Sequence, residues 1–237
     1  MYGESVPIMA WMGPVLKGAV ATIEIAILAY LIGFALGLIV AVAGGSRHAG
    51  VKRAATVYVG FLRAVPELVL IIVLYYAGTQ LLTFIAHQLS GGSAVVSFNG
   101  FVTAVGVLAI VQSAFMGEVL RGAIAAVPVG QLEAADAYGF TRWKRFWHIV
   151  LPGMIPNAIP GMSNLWLILL KDTSLISIVG YQELFFTTQQ AAASTRHYFT
   201  FYAIAALIYL ILSGITNGGF RVLERHYRRG QKLTTEA

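Results

Sequence analysis

From residue 16 to residue 43 the chain is apolar almost without interruption, well beyond the ~20 residues that carry a helix across a bilayer. Further apolar stretches follow at 54–86, 101–126, 152–170 and 198–219. Only helices or closed barrels can satisfy their backbone in lipid, and runs of this length and continuity read as helices. The expected fold class is therefore an all-α integral membrane protein with five transmembrane helices. Composition agrees: 58% of the 237 residues are hydrophobic and 11% are charged, against ~25% charged in soluble domains. Absence of cysteine rules out disulfides and thiolate metal sites. No internal repeat or low-complexity segment is visible, and residues 1–10 lack a signal-peptide layout, so the first apolar helix is expected to serve as an uncleaved signal.

The apolar segments carry interruptions. Gly33 and Gly37 form a G-x-x-x-G pair, which either permits close helix packing or reflects the abundance of glycine in membrane helices. Glu24 lies inside the first span, where an ionisable group is costly. In the second segment, Arg63-Ala64-Val65-Pro66-Glu67 sits well inside, and Pro66 should break the helix there. Glu118 and Arg121 near the end of the third span are three apart and can pair. Pro156 and Pro160 fall in the first turns of the fourth span. The segment 171–196 is too polar in its second half for a clean span and reads as a re-entrant or interfacial helix.

The net charge of +6 does not describe a nucleic-acid face, because the cations cluster in short loops. Loop 44–53 has three Lys or Arg, stretch 133–152 has three, and the tail after 219 has five. Loop 87–100 and the residues before the first span have none. The positive-inside rule then puts the N-terminus outside and the C-terminus in the cytoplasm.

Stretch 133–152, EAADAYGFTRWKRFWHIVLP, is a basic and aromatic island on the cytoplasmic side of that topology. Residues 131–138 are good helix formers, and Gly139 can take the left-handed conformation that ends a helix. Arg142, Lys144 and Arg145 follow, interleaved with Trp143, Phe146 and Trp147. Small residues let a partner approach and aromatics fill its pockets; a stretch lying in the lipid interface would look similar.

The order Glu133-Ala134-Ala135, Gly139, Ile149, Leu151-Pro152 resembles, position for position, the EAA loop of the membrane subunits of ABC importers. Further resemblance covers nearly the whole chain and is to the polar amino-acid branch. Arg63-Ala64-Val65-Pro66 is similar to its R-G-x-P motif, with Ala64 in place of the usual Gly. Arg121-Gly122-Ala123-Ile124, with Val127-Pro128 and Gly130-Gln131, resembles the run before its coupling loop. Leu170-Lys171-Asp172-Thr173-Ser174-Leu175 resembles its L-K-D-T-S-L motif. Tyr138 departs from the Leu or Phe common among relatives. Within that branch the chain resembles the first membrane subunit of permeases for histidine, lysine, arginine, ornithine or opines.

This resemblance implies a type I ABC importer transmembrane-domain fold: a single domain over 1–237, with a membrane core at 11–226 and a cytoplasmic EAA coupling loop at 133–152. It implies ATPase coupling through Glu133, Ala134, Ala135, Gly139, Arg142, Ile149, Leu151 and Pro152. Implied partners are a second permease subunit, a homologous sibling or the chain itself, two ATPase subunits, a solute-binding protein and membrane lipid. The implied location is the bacterial inner membrane. No phosphate loop G-x-x-x-x-G-K-[ST] occurs, so the chain is expected not to be an enzyme and to hold no cofactor. ATP and magnesium would belong to the partner ATPase.

A basic amino acid crossing the bilayer needs carboxylates along its path. Glu67, beside the Pro66 break, is the first candidate, and the resemblance adds that relatives carrying arginine or histidine tend to have an acid there. Glu24 is second and Asp172 third. Thr173 and Ser174 offer hydroxyls to a substrate carboxylate, and Arg63 is a further pathway candidate. The competing structural readings are a Glu67 pair with Arg63, four residues away, and a mutual or inter-subunit salt bridge of Lys171 and Asp172. Two other functional classes compete with this reading. An ion-coupled secondary transporter would predict internal repeats. An intramembrane enzyme finds no H-E-x-x-H, and the five histidines are scattered.

Overall fold

The computed structural model describes residues 8–89 and 99–227. Helix α1 (Ile8–Gly44) is followed by α2 (Ala49–Ala64), α3 (Glu67–Leu89), α4 (Gly100–Ala125) and the short α5 (Val129–Ala137). Then α6 (Arg142–Arg145) runs through a π-helical turn (Phe146–Val150) into α7 (Leu151–Asp172). A 3₁₀ segment (Thr173–Val179), α8 (Leu184–Thr195) and α9 (Tyr198–Tyr227) complete the chain. Five stretches are long and apolar enough to span a membrane among the described residues: Ile8–Gly44, Glu67–Ile85, Gly100–Ala125, Arg142–Val179 and Tyr198–Tyr227.

Helix α4 is the hub, with much of its length buried against α1 and α7. Its closest approach to α1 is made through the glycines of the G-x-x-x-G pair. A Cβ on Gly33 would stand 3.0 Å from Gln112, and one on Gly37 would stand 2.7 Å from Met116. Gly117 is the reciprocal contact, 2.8 Å from Val40. Glycine frequency alone does not produce such matched contacts; the pair exists to let two helices touch.

The structure differs from the sequence expectation at several boundaries. The break at Pro66 lies at the end of a span and not well inside one. Val65 is extended, as the residue before a proline prefers, and it divides the segment into an amphipathic α2 and a spanning α3. The expected loop 44–53 is a tight turn at 45–48, because α2 already begins at Ala49. The fourth span does not start after Pro152, since helical backbone is continuous from Arg142 to Asp172. The π turn explains this: Leu151 N–H bonds Phe146 C=O five residues back, which shifts the register just before Pro152 removes a donor.

At the other end of α7, Gly180 in the left-handed region (φ 85) closes the 3₁₀ segment and turns the chain into α8. At 12 residues α8 is too short to cross the bilayer. It is a buried helix wedged between α1 and α9, and it presents Leu184, Thr187, Thr188, Ala191, Ala192 and Thr195 inward. Helix α9 extends past the expected end at 219 to Tyr227 and carries Arg221 and Arg225. Residues 90–98 of the expected loop and Arg228, Arg229 and Lys232 lie outside the described residues.

Candidate functional site

The break before α3 brings two predicted carboxylates together. Glu67 opens α3 and Asp172 closes α7, and their carboxyl groups lie within hydrogen-bonding reach of one another. Both are half-buried. Two carboxyl groups placed together favour a cation between them. Neither the Arg63–Glu67 pair nor a mutual Lys171–Asp172 pair is formed among the described residues. Arg63 pairs with Glu118, at 3.4 Å, and stacks over the Phe115 ring at 5.8 Å. Lys171 forms no ion pair among the described residues; it points to a cavity of about 390 Å³ lined also by Ser174, Phe185, Tyr202 and Tyr209.

The other pathway candidates are placed differently. Arg63 belongs to a cluster with Glu118 and Arg121, in which Arg121 Nε and Nη2 donate to both Glu118 oxygens at 3.1 and 2.9 Å. Glu24 is exposed on α1, and its charge acts on Tyr181. Burial first, then Glu24 and Tyr75, push the Tyr181 phenol up from its ordinary value. Thr173 is fully buried, and its hydroxyl donates to Leu170 C=O at 2.8 Å. Ser174 donates to Lys171 C=O at 2.7 Å. Both hydroxyl protons are thus committed to the chain, so neither is available to a substrate carboxylate in this arrangement.

The basic island forms a compact elbow. At the end of α5, Phe140 N–H bonds Ala135 C=O and Gly139 N–H bonds Asp136 C=O, both at 3.0 Å, a Schellman closure with Gly139 at φ 73. Thr141 caps α6 by accepting from Lys144 N–H. Arg145 Nη1 donates to both oxygens of Asp136, at 2.7 and 2.5 Å, and so ties α6 back to α5. Of the predicted coupling residues, Ala135 is buried, Ile149 and Leu151 are half-buried, and Glu133, Ala134, Gly139, Arg142 and Pro152 are exposed. Tyr138 (84% exposed), Trp143 (70%) and Val129 (65%) leave large apolar surface beside them. Apolar surface of this kind rimmed by charge suits contact with a protein or with the membrane.

Two features escaped the sequence. The Asp136–Arg145 clip spans nine positions and follows no helical period. Glu183 is fully buried, caps α8 through Phe185 and Phe186 N–H, and accepts from Thr22 and Tyr209 hydroxyls. Its only signal was a lone acid at the edge of an apolar segment.

The profile of a family described as "binding-protein-dependent transport system inner membrane component" matches residues 33–229. The nopaline transport system permease protein of Agrobacterium fabrum (strain C58) is 37% identical over 220 residues, covering 93% of each chain. The histidine/lysine/arginine/ornithine transport system permease protein of Salmonella typhimurium (strain LT2) is 34% identical, covering 93% of this chain and 96% of that one. A crystal structure of an amino acid ABC transporter with histidines superposes with a TM-score of 0.78 at 26% identity, over 95% of this chain and 100% of that one.

Proposed function

The chain belongs to the binding-protein-dependent transport system inner membrane components, a multi-pass permease subunit of the type I ABC importer fold, and from that premise we propose that it carries basic amino acids or opines inward. The observation that supports a cationic cargo is the Glu67–Asp172 carboxyl pair beside a helix break. Two relatives named for nopaline and for histidine, lysine, arginine and ornithine transport support the same reading.

In this reading the N-terminus is periplasmic and the C-terminus cytoplasmic, supported by the distribution of Lys and Arg. The elbow then faces the cytoplasm. A second permease subunit completes the pathway, two ATPase subunits bind ATP and magnesium, and a solute-binding protein delivers the cargo. Exposed Glu133, Ala134 and the aromatic rim of the elbow meet the ATPase.

The fold supplies a transmission. Helical backbone from Arg142 to Asp172 is a rod of ~46 Å at 1.5 Å per residue. Its lower end is the elbow and its upper end is the carboxyl pair. A push on the elbow during ATPase closure therefore shifts Asp172 against Glu67 and changes their hold on a cation. The secondary-transporter alternative has nothing to use the elbow for and is not favoured.

The test is ATPase activity of the complete complex in liposomes, titrated with solute-binding protein loaded with arginine, histidine, octopine, glutamine or nothing. Stimulation by basic ligands supports the reading. Stimulation by glutamine alone removes the cationic cargo, and ATP-independent uptake removes the importer.

A further inference from the structure

The turn between α1 and α2 and the start of α6 are distant in sequence, yet they border one cleft of about 850 Å³. Its rim is cationic: Arg47 comes from the turn and Arg142 from α6, and His48 of the turn borders it too. Among the described residues neither Arg47 nor Arg142 has an ion-pair partner, whereas the neighbouring Arg145 is held by Asp136. No carboxylate lines the cleft among the described residues. The turn itself is ordered by His48 N–H donating to Ser46 Oγ at 3.2 Å.

The floor is of the opposite character. Ile39 and Val42 of α1, 65% and 58% exposed, and Val51 of α2, 47% exposed, form it. Ile39 and Val42 belong to the last turns of a spanning helix, so the floor continues that helix's exposed apolar face. A cationic rim over an apolar floor at this depth matches an amphiphile with an anionic head and a hydrocarbon tail. A soluble partner would satisfy the rim, but it would have to reach down a membrane helix to cover the floor.

We infer that this cleft binds an anionic phospholipid, with its phosphate between Arg47 and Arg142 and an acyl chain against Ile39 and Val42. Basic pockets between spanning helices on the cytoplasmic side attract such head groups, each cation contributing about fivefold in affinity. The inference takes from the proposed function only the orientation of the chain. Its consequence is that the lipid ties the turn after α1 to the first residue of the α6–α7 rod, so bilayer charge becomes an input to the elbow.

The experiment is native mass spectrometry of the complete complex, purified in detergent with equal phosphatidylglycerol and phosphatidylcholine. The expected result is preferential retention of phosphatidylglycerol by the unaltered complex. Arg47→Gln should lower that retention about fivefold, Arg47→Lys should restore it, and Arg225→Gln on α9 should leave it unchanged. Equal retention of the two lipids by the unaltered complex overturns the inference and needs no variant. So does full retention in an Arg47→Gln/Arg142→Gln double variant, or loss of a co-purifying protein from that variant with lipid unchanged. Retention is read without transport, so a failed transport assay and a failed lipid site are distinguishable.

Discussion

Arg63 reaches Glu118 across 3.4 Å and does not pair with Glu67, although Glu67 stands only four positions along the chain. An i,i+4 pair requires both residues on one helix. Here Val65 is extended and Pro66 supplies no donor, so Arg63 ends α2 while Glu67 begins α3 on a new axis. Glu118 takes Arg63 and Arg121 together, and the Glu67 carboxyl is left to face Asp172.

That arrangement predicts a cargo-dependent effect. Glu67→Gln and Asp172→Asn should each raise the apparent KM for arginine uptake by about tenfold or more, the scale of a lost charge-assisted contact. Uptake of a neutral amino acid by the same complex should change by no more than about twofold. Complex yield, read by size-exclusion chromatography, should be normal. Equal losses for both cargoes would remove the cation role.

The α1–α4 contact predicts two opposite outcomes for one kind of substitution. Gly37→Ala puts a Cβ 2.7 Å from the Met116 Cβ and 3.1 Å from the Gly117 backbone, neither of which is a flexible tip. The helices must separate, at a cost of about 1–3 kcal/mol. Gly214→Ala, on α9 with no atom within 4 Å, should be neutral or slightly stabilising. Thermal unfolding in detergent followed by fluorescence-detected chromatography separates the two. Similar melting shifts for both would show that the glycine contact is not what holds α1 to α4.

The sequence exposed what periodicity and punctuation encode. Apolar runs marked five spans, Pro66 marked a break, and Gly139 marked the end of α5. What stayed hidden depends on distances along a fold. The partnership of Glu67 with Asp172 joins two helices distant in the chain, and the local i,i+4 partner was the natural competitor. Pro152 misled because a proline ordinarily opens a helix, and a π turn upstream has no compositional mark. Arg63 stood among pathway candidates because its motif adjoins Glu67, while the fold turns it to the other side. Glu183 was hidden because a capping acid looks the same whether its cap is buried or wet.

Glu183 predicts a pH dependence. Burial outweighs the hydrogen bonds from Phe185, Phe186, Thr22 and Tyr209 and holds its carboxyl above the ordinary carboxylate range. The folded chain then binds this proton more readily than the unfolded one. The stabilising contribution is fully present below the ordinary carboxylate range and is lost as pH rises through the raised value. Glu183→Gln, which never ionises, should remove this slope. Its melting temperature relative to the unaltered chain should rise between pH 4 and pH 8. A difference constant across that range would mean that Glu183 remains ionised when buried.

The elbow gives the last prediction, because its shape and its surface can be altered separately. Gly139 has φ 73 and no atom within 4 Å of an added Cβ, so a substitution there meets backbone strain and nothing else. Gly139→Ala should cost about 1–2 kcal/mol, the penalty for placing an ordinary residue in the left-handed region. Gly139→Asn should cost less, since asparagine visits that region. Asp136→Asn removes the charge that clips Arg145, an exposed pair worth ~1 kcal/mol or less to stability. If the elbow transmits force, its rigidity counts for more than its stability. Asp136→Asn and Gly139→Ala should then insert and assemble normally, yet lose most of the ATPase stimulation by loaded solute-binding protein, while Gly139→Asn keeps it. Full stimulation in both altered elbows would mean that the ATPase reaches the membrane helices by another route.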